Sequence, residues 1–324
     1  MAPRLTVAEL LDLGDLDGLL RRIDDLCDAR EWPALLDLRD RCRTAFELAG
    51  RQLWPAASHA EYRLALEAPG RWAAAVVEPG AGRFALGPLS EVAASTHTWD
   101  ELAPHLASTP EAALVAQERV LRGEDLRGED VPLTELPLVL QDWEPTYRLA
   151  TYEHYKRDVP SLDVPVLASP AAVHQGEVMA DPDATDALLE LVTPWTTQSN
   201  GHARALAIEG NAAGAVAALG IDRHVLAEID TASALALMAW TAASGGAHGR
   251  RRGAALGRFS AWWTVAALAG ALDDWPDIEP ALDDLRWYRW DRIEHTTGWS
   301  LRLAAERPAD GLAFAVEATD TRDP

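Results

Sequence analysis

The chain has 324 residues, 48% of them hydrophobic, enough for one or two buried cores, and this excludes disorder of the whole. Its 51 acidic against 29 basic residues give a net charge of −22, which argues against affinity for nucleic-acid backbones or anionic membrane surfaces, except at a local basic spot. The carboxylates are spread along the chain rather than gathered in one run, as on an ordinary solvated surface rather than a nucleic-acid mimic.

Met1–Gly18 carries Glu9, Asp12, Asp15 and Asp17 inside its leucine pattern, unlike a signal peptide, and no stretch has 18 uninterrupted apolar residues. A cytoplasmic chain without a membrane span is expected. Asp17 caps a predicted helix with Leu19, Leu20, Ile23, Leu26 and Cys27 on one face; after a break at Asp28–Glu31, a second carries Leu35, Leu38, Cys42, Phe46 and Ala49. In such an antiparallel hairpin Cys27 lies near the turn and Cys42 several helical turns away. Two reduced core thiols are expected, not a disulfide framework or a four-ligand zinc site. A third helix starts at Trp54-Pro55, and others cover Arg71–Val77, Trp99–Leu106 and Pro110–Leu121. Residues 1–130 therefore read as an all-α helical bundle or irregular, HEAT-like solenoid, without a fixed repeat period.

Residues 131–182 read as an extended connector. Pro132, Pro137, Pro145, Pro160, Pro165, Pro170 and Pro182 each push their predecessor out of the helical region, and Tyr147–Tyr155 within it fits a short strand or a helical turn.

Residues 183–324 alternate between the two periodicities. Helices are predicted over Ala184–Val192, Asn211–Leu219, Thr231–Ser244 and Arg250–Leu272, and a strand over Arg204–Glu209. Trp299, Leu301, Leu303 and Ala305 alternate with polar or small residues, Pro308-Ala309-Asp310-Gly311 supplies a turn, and Leu312, Phe314, Val316 and Ala318 resume the period of two. Arg286–Ile293, turning through His295-Thr296-Thr297-Gly298, adds a third antiparallel strand. The expected fold class is α+β: the helical region first, then a domain of helices covering one face of a small antiparallel sheet.

The run Ser244-Gly245-Gly246-Ala247-His248-Gly249-Arg250-Arg251-Arg252-Gly253, with Gly257-Arg258-Phe259, Trp262-Trp263, Asp273-Asp274-Trp275-Pro276 and Leu285-Arg286-Trp287-Tyr288, resembles an uncharacterised protein family of high-GC bacteria. The resemblance implies no activity, substrate or site residue.

The Gly/Arg segment 245–258 is the one candidate site. At a helix N-terminus, arginines oppose the macrodipole unless an anion or a carboxylate lies among them. His248, Arg250, Arg251, Arg252 and Arg258 then form a ligand-anion site for a phosphorylated or carboxylated small molecule, with His248 assisting. The competing reading is structural. Gly249, Gly253 and Gly257, continued by Ala261, form a stripe suited to close helix packing, and the arginines pair with the plentiful carboxylates, for example Asp273-Asp274, Asp283-Asp284 or partners in the other domain. The order of a P-loop is absent, and Lys156 is the single lysine.

No metal-ligand spacing or nucleophile elbow occurs, and Thr197-Gln198-Ser199-Asn200-Gly201 reads as a polar turn. Thirteen tryptophans against four phenylalanines suggest a large aromatic core, with Arg286, Arg289 and Arg292 stacking on aromatic neighbours within the fold. No catalytic residue, cofactor or metal is assigned. The expectation is a non-enzymatic protein that meets a protein partner through its helical domain, with the anion-binding enzyme or sensor as the alternative.

Overall fold

The structure, a computed structural model, describes residues 5–162, 173, 176–221, 223–293 and 298–321, the side chains of 46–49 excepted. Pro165, Pro170 and the expected turn at His295–Thr297 lie outside the described residues, as do the side chains of Phe46 and Ala49. The chain forms two compact units, Met1–Leu140 with Leu149–Val159, and Gln141–Arg148 with Pro160–Pro324.

Unit 1 comprises α1 (Val7–Leu13), α2 (Leu16–Asp28), α3 (Trp32–Ala49), α4 (Trp54–Glu67), α5 (Gly70–Ala74), α6 (Leu89–Thr96), α7 (Trp99–Leu102), α8 (Pro110–Leu121) and the hairpin of β1 (Thr151–Glu153) and β2 (Lys156–Asp158). The cap of α2 is Asp15 rather than Asp17: its Oδ1 accepts the Gly18 N–H at 2.9 Å, so Asp17 falls in the first turn. The α2–α3 hairpin forms as its periodicity predicts, with Leu19, Ile23, Leu35 and Leu38 fully buried. Cys27 and Cys42 are free, buried thiols. At the centre lies α4, enclosed by α2, α3, α5 and α6. Its small residues Ala56, Ala57, Ala60 and Ala65 let neighbours approach, so that even Glu61 and Arg63 are buried. The helix α6 went unpredicted because Ser90, Glu91, Ser95 and Thr96 obscure its period. Glu91 is buried all the same and accepts the Tyr152 hydroxyl at 2.6 Å.

Unit 2 comprises β3 (Val178–Met179), α9 (Pro182–Glu190), α10 (Thr193–Thr197), β4 (His202–Glu209), α11 (Ala212–Ala218), β5 (His224–Ile229), α12 (Thr231–Ala243), α13 (Ala254–Ala269), β6 (Arg286–Arg292), β7 (Trp299–Arg307) and β8 (Leu312–Asp320). Its antiparallel sheet runs β3-β4-β8-β7-β6-β5. The β7–β8 hairpin pairs from Trp299↔Asp320 to Arg307↔Leu312, closed by the predicted turn.

Helices cover both faces of this sheet, not one. The alternation in β7 and β8 predicts one wet face, yet burial there is nearly continuous. The second face presents Ala304, Ala313 and Ala315, small enough for the alanine-rich α11 to lie directly on them beside Ile208, Leu226 and Trp290. The opposite face, with Leu301, Leu303, Phe314 and Val316, packs under α9, α12 and α13.

The segment 131–182 contributes to both units. Residues 141–148 bring Trp143, Glu144 and Tyr147 into unit 2, whereas 149–159 return the β1–β2 hairpin to unit 1. No helix among the described residues is long and apolar enough to cross a membrane.

Candidate functional site

The Gly/Arg segment is the loop between α12 and α13. The predicted helix from Arg250 starts four residues later, at Ala254, because Gly253 takes φ +99° and breaks the helical run. Arg250–Arg252 therefore stay outside the helix, which relieves the conflict with its macrodipole. The loop closes on itself through the Arg252 N–H, which donates to the Ala243 carbonyl at 2.8 Å. Of the glycine stripe, only Gly257 is helical. A side chain there would meet the Ala239 carbonyl oxygen of α12 at 2.3 Å, so close packing of α12 on α13 accounts for it.

Three side chains from elsewhere in unit 2 meet the loop's backbone donors. The Ala247 N–H donates to Asp320 Oδ2 at 2.6 Å, and the Ser199 hydroxyl donates to Asp320 Oδ1 at 2.9 Å. Ser199 Oγ in turn accepts the His248 N–H at 3.2 Å, and Gln198 Oε1 accepts the Arg250 N–H at 3.1 Å. Ser244 Oγ accepts both the Gly246 N–H at 3.2 Å and the Trp195 indole N–H at 3.0 Å. Gly246 has φ +68°, and a Cβ there would lie 2.2 Å from Asp320 Oδ2. The negative group among the loop amides is thus Asp320, itself buried at the end of β8. The polar turn 197–201 serves as the loop's abutment.

The five predicted site residues separate by burial. His248 and Arg250 are exposed, and Arg251 is buried. Arg252 pairs with Glu190, Nη2 to Oε1, at 3.0 Å and donates to the Glu190 carbonyl at 3.3 Å. Arg258 is fully buried and bonds Glu144 in bidentate fashion, Nε to Oε2 at 2.8 Å and Nη2 to Oε1 at 2.6 Å. Glu144 Oε2 also accepts the Trp262 indole N–H at 3.0 Å and the Tyr147 hydroxyl at 2.7 Å, and the Arg258 guanidinium lies 5.2 Å from the centre of the Trp262 ring. Burial, with the Glu144 carboxylate beside it, pushes the Tyr147 phenol well above its ordinary value. The carboxylates at Arg252 and Arg258 are therefore Glu190 and Glu144, not the aspartate pairs suggested by the sequence.

A second polar cluster, in unit 1, escaped the sequence reading. Asp24 accepts the Tyr155 hydroxyl on both oxygens, at 2.8 and 2.6 Å, and an Arg63 N–H at 2.5 Å. Arg63 also bonds Glu67, which His154 approaches at 3.1 Å, and Tyr155 stacks on His59. Partial burial pushes the Asp24 carboxyl up, but the bonds from Tyr155 and Arg63 outweigh it and hold it below its ordinary value. Burial lowers His59, with help from Arg63, and pushes Cys27 up to about 12, which leaves that thiol unreactive near neutrality. Asp24 also lines a groove of about 420 Å³ beside Leu5, Leu10, Asp15, Arg21 and Arg22. The cluster joins two helices to a hairpin more than 80 residues further on, so no local spacing could reveal it. Among the described residues no group of three or more His, Cys, Asp or Glu is arranged to hold a metal ion.

No curated protein and no solved structure matches the chain. A family model does, over residues 17–322, and the chain belongs to that family, the family of unknown function DUF6183.

Proposed function

We propose that this member of DUF6183 is a cytoplasmic, non-enzymatic binding or interaction protein of high-GC bacteria, whose helical unit offers the partner surface and whose Gly/Arg loop organises unit 2. One observation carries the reading: the segment that most resembles an anion cradle is occupied from within, the loop amides by Asp320, Ser199 and Gln198 and Arg258 of α13 by Glu144. An anion bound there would have to displace a buried carboxylate already paired in good geometry, which carries a desolvation penalty of several kcal/mol. The partner surface in unit 1 is the charged groove between α1 and α2, lined by Arg21, Arg22, Asp15 and Asp24. That lining suits a polar segment of another protein.

The alternative, an enzyme or sensor of a phosphorylated or carboxylated small molecule, draws on the exposure of His248 and Arg250 at the loop's rim. A thermal-shift panel of nucleotides, sugar phosphates, carboxylates and inorganic phosphate separates the two, run beside Arg251→Ala. A ligand at 100 times its dissociation constant stabilises by about 2.7 kcal/mol, which such a panel resolves. We expect no shift. A shift abolished by Arg251→Ala would overturn the interaction reading.

A further inference from the structure

The two edges of the unit 2 sheet differ. At one edge β3 is only two residues long; at the other, β5 offers six residues, His224-Val225-Leu226-Ala227-Glu228-Ile229, paired among the described residues on one side only, with β6. Sheet edges are ordinarily blunted by charged side chains, especially lysine, by proline, a bulge or brevity, or by a covering helix or loop. β5 carries one charge, Glu228, but neither lysine nor proline, and its register with β6 runs without interruption from His224↔Arg292 to Ile229↔Trp287. Charge favours this edge as well. In a chain of charge −22, residues 223–230 and 286–292 hold four arginines, Arg223, Arg286, Arg289 and Arg292, against three acids, Glu228, Asp230 and Asp291. Two copies meeting here avoid the like-charge contact that most of this surface imposes.

We infer that β5 is the seam of a symmetric dimer, in which β5 of a second copy adds antiparallel and makes the two sheets continuous. Symmetry and alternation fix the register. A twofold axis normal to the sheet keeps each face on its own side, so residues opposite one another must share a face. His224, Leu226 and Glu228 share the α11 face, where Leu226 joins the buried cluster; Val225, Ala227 and Ile229 share the other. Pairing centred on Leu226 sets His224 opposite Glu228 of the second copy, twice, and Val225 opposite Ala227. Pairing centred on Ala227 would set Leu226 against the Glu228 carboxylate and His224 against Asp230, one residue beyond the end of β5. The first register pairs His224 with a carboxylate inside the strand and sets Leu226 opposite Leu226 rather than a carboxylate, so the seam adopts it. Nδ1 of His224 lies 3.1 Å from the Ile221 carbonyl oxygen and donates to it, so the ring can bond the carboxylate opposite only as the imidazolium, through Nε2–H. This seam lies in unit 2 and does not rest on the partner surface proposed for unit 1.

The test is the mass of the full chain by sedimentation equilibrium from about 1 to 200 μM in 0.15 M salt, where the Debye length of about 8 Å screens long-range repulsion between acidic copies. A concentration-dependent dimer is expected. Glu228→Lys, which sets lysine opposite His224, should raise the dissociation constant at least tenfold, and His224→Glu should do the same by setting two carboxylates together. The double variant His224→Glu with Glu228→Lys restores an unlike pair and should recover dimerisation. Circular dichroism on each variant verifies that the fold is retained. A wild-type chain that stays monomeric to 200 μM overturns the inference, and so does a dimer indifferent to both single variants. Should either single variant fail to fold, Val225→Lys, which acts on the edge without touching the His224–Glu228 pair, replaces it with the same expectation of a weakened dimer.

Discussion

Glu144 and Arg258 form a fully buried, bidentate ion pair, and they come from segments of opposite character: Glu144 from a proline-punctuated stretch, Arg258 from the second turn of α13. Each needs the other. Glu144→Gln or Arg258→Met alone leaves a buried charge uncompensated and should cost about 3–5 kcal/mol in urea denaturation. Replacing both with apolar residues of similar volume should cost much less than the sum of the two, and a double-mutant cycle reads the difference. Additive losses would mean that the pair is not a unit.

Asp320 has the corresponding role at the loop. Asp320→Ala removes the acceptor of the Ala247 N–H and of the Ser199 hydroxyl, and hydrogen bonds to a charged group contribute about 1.5–3 kcal/mol each. We expect a stability loss of about 3 kcal/mol and faster hydrogen exchange at the amides of Ala247 and His248, with the amides of α4 unaffected relative to global unfolding.

Gly257→Ala tests the helix contact against intrinsic propensity. In an open helix interior, alanine would gain about 1 kcal/mol over glycine. Here the added methyl meets the Ala239 carbonyl oxygen, and overpacking of that kind costs about 1–3 kcal/mol. The expected sign is therefore destabilising, read as a lowered Tm; a raised Tm would mean that α12 and α13 are less closely packed.

Two carboxylates, Asp24 and Glu317, contribute to the acid limb of stability. Burial pushes both Asp24 and Glu317 up, but Tyr155 and Arg63 on the first, and Arg292 and Arg204 on the second, hold them below their ordinary values. A carboxyl depressed in the fold contributes stability above its unfolded value, near pH 4, and loses it as pH falls through the folded value. Denaturation midpoints should thus fall progressively below about pH 5. Glu317→Gln should flatten that decline at lower overall stability, whereas an unchanged slope would assign the acid limb to other groups.

The elements that formed where the sequence placed them are those whose signal is local. The β7–β8 hairpin carries an unbroken period of two with turn residues between, and α8 runs from Pro110 to Leu121 as read. By contrast β5 was invisible: Leu226, Ala227 and Glu228 are good helix formers running straight into α12, and their extended state comes from pairing with β6, which the chain reaches only much later. The candidate loop was legible as unusual, and its partners were not. Glu144 sits 114 residues before Arg258, and no spacing rule reaches that far. Asp320 did leave a trace, because it falls on the inward period of Phe314, Val316 and Ala318, where a carboxylate signals a buried acceptor.

Because residues 141–148 belong to unit 2 although their neighbours on both sides in the chain complete unit 1, order of synthesis matters. Unit 1 has all its parts once Val159 has left the ribosome, whereas Glu144 must wait for Arg258 to be translated. At about 5–20 residues per second, 114 residues correspond to roughly 6–23 s. Throughout that interval the nascent chain carries Trp143, Glu144 and Tyr147 without the α13 side chains that will enclose them, a sticky aromatic segment beside a finished domain. Ribosome-associated chaperones would find it there, and a slower or faster stretch of codons between the two would change how long it is on offer.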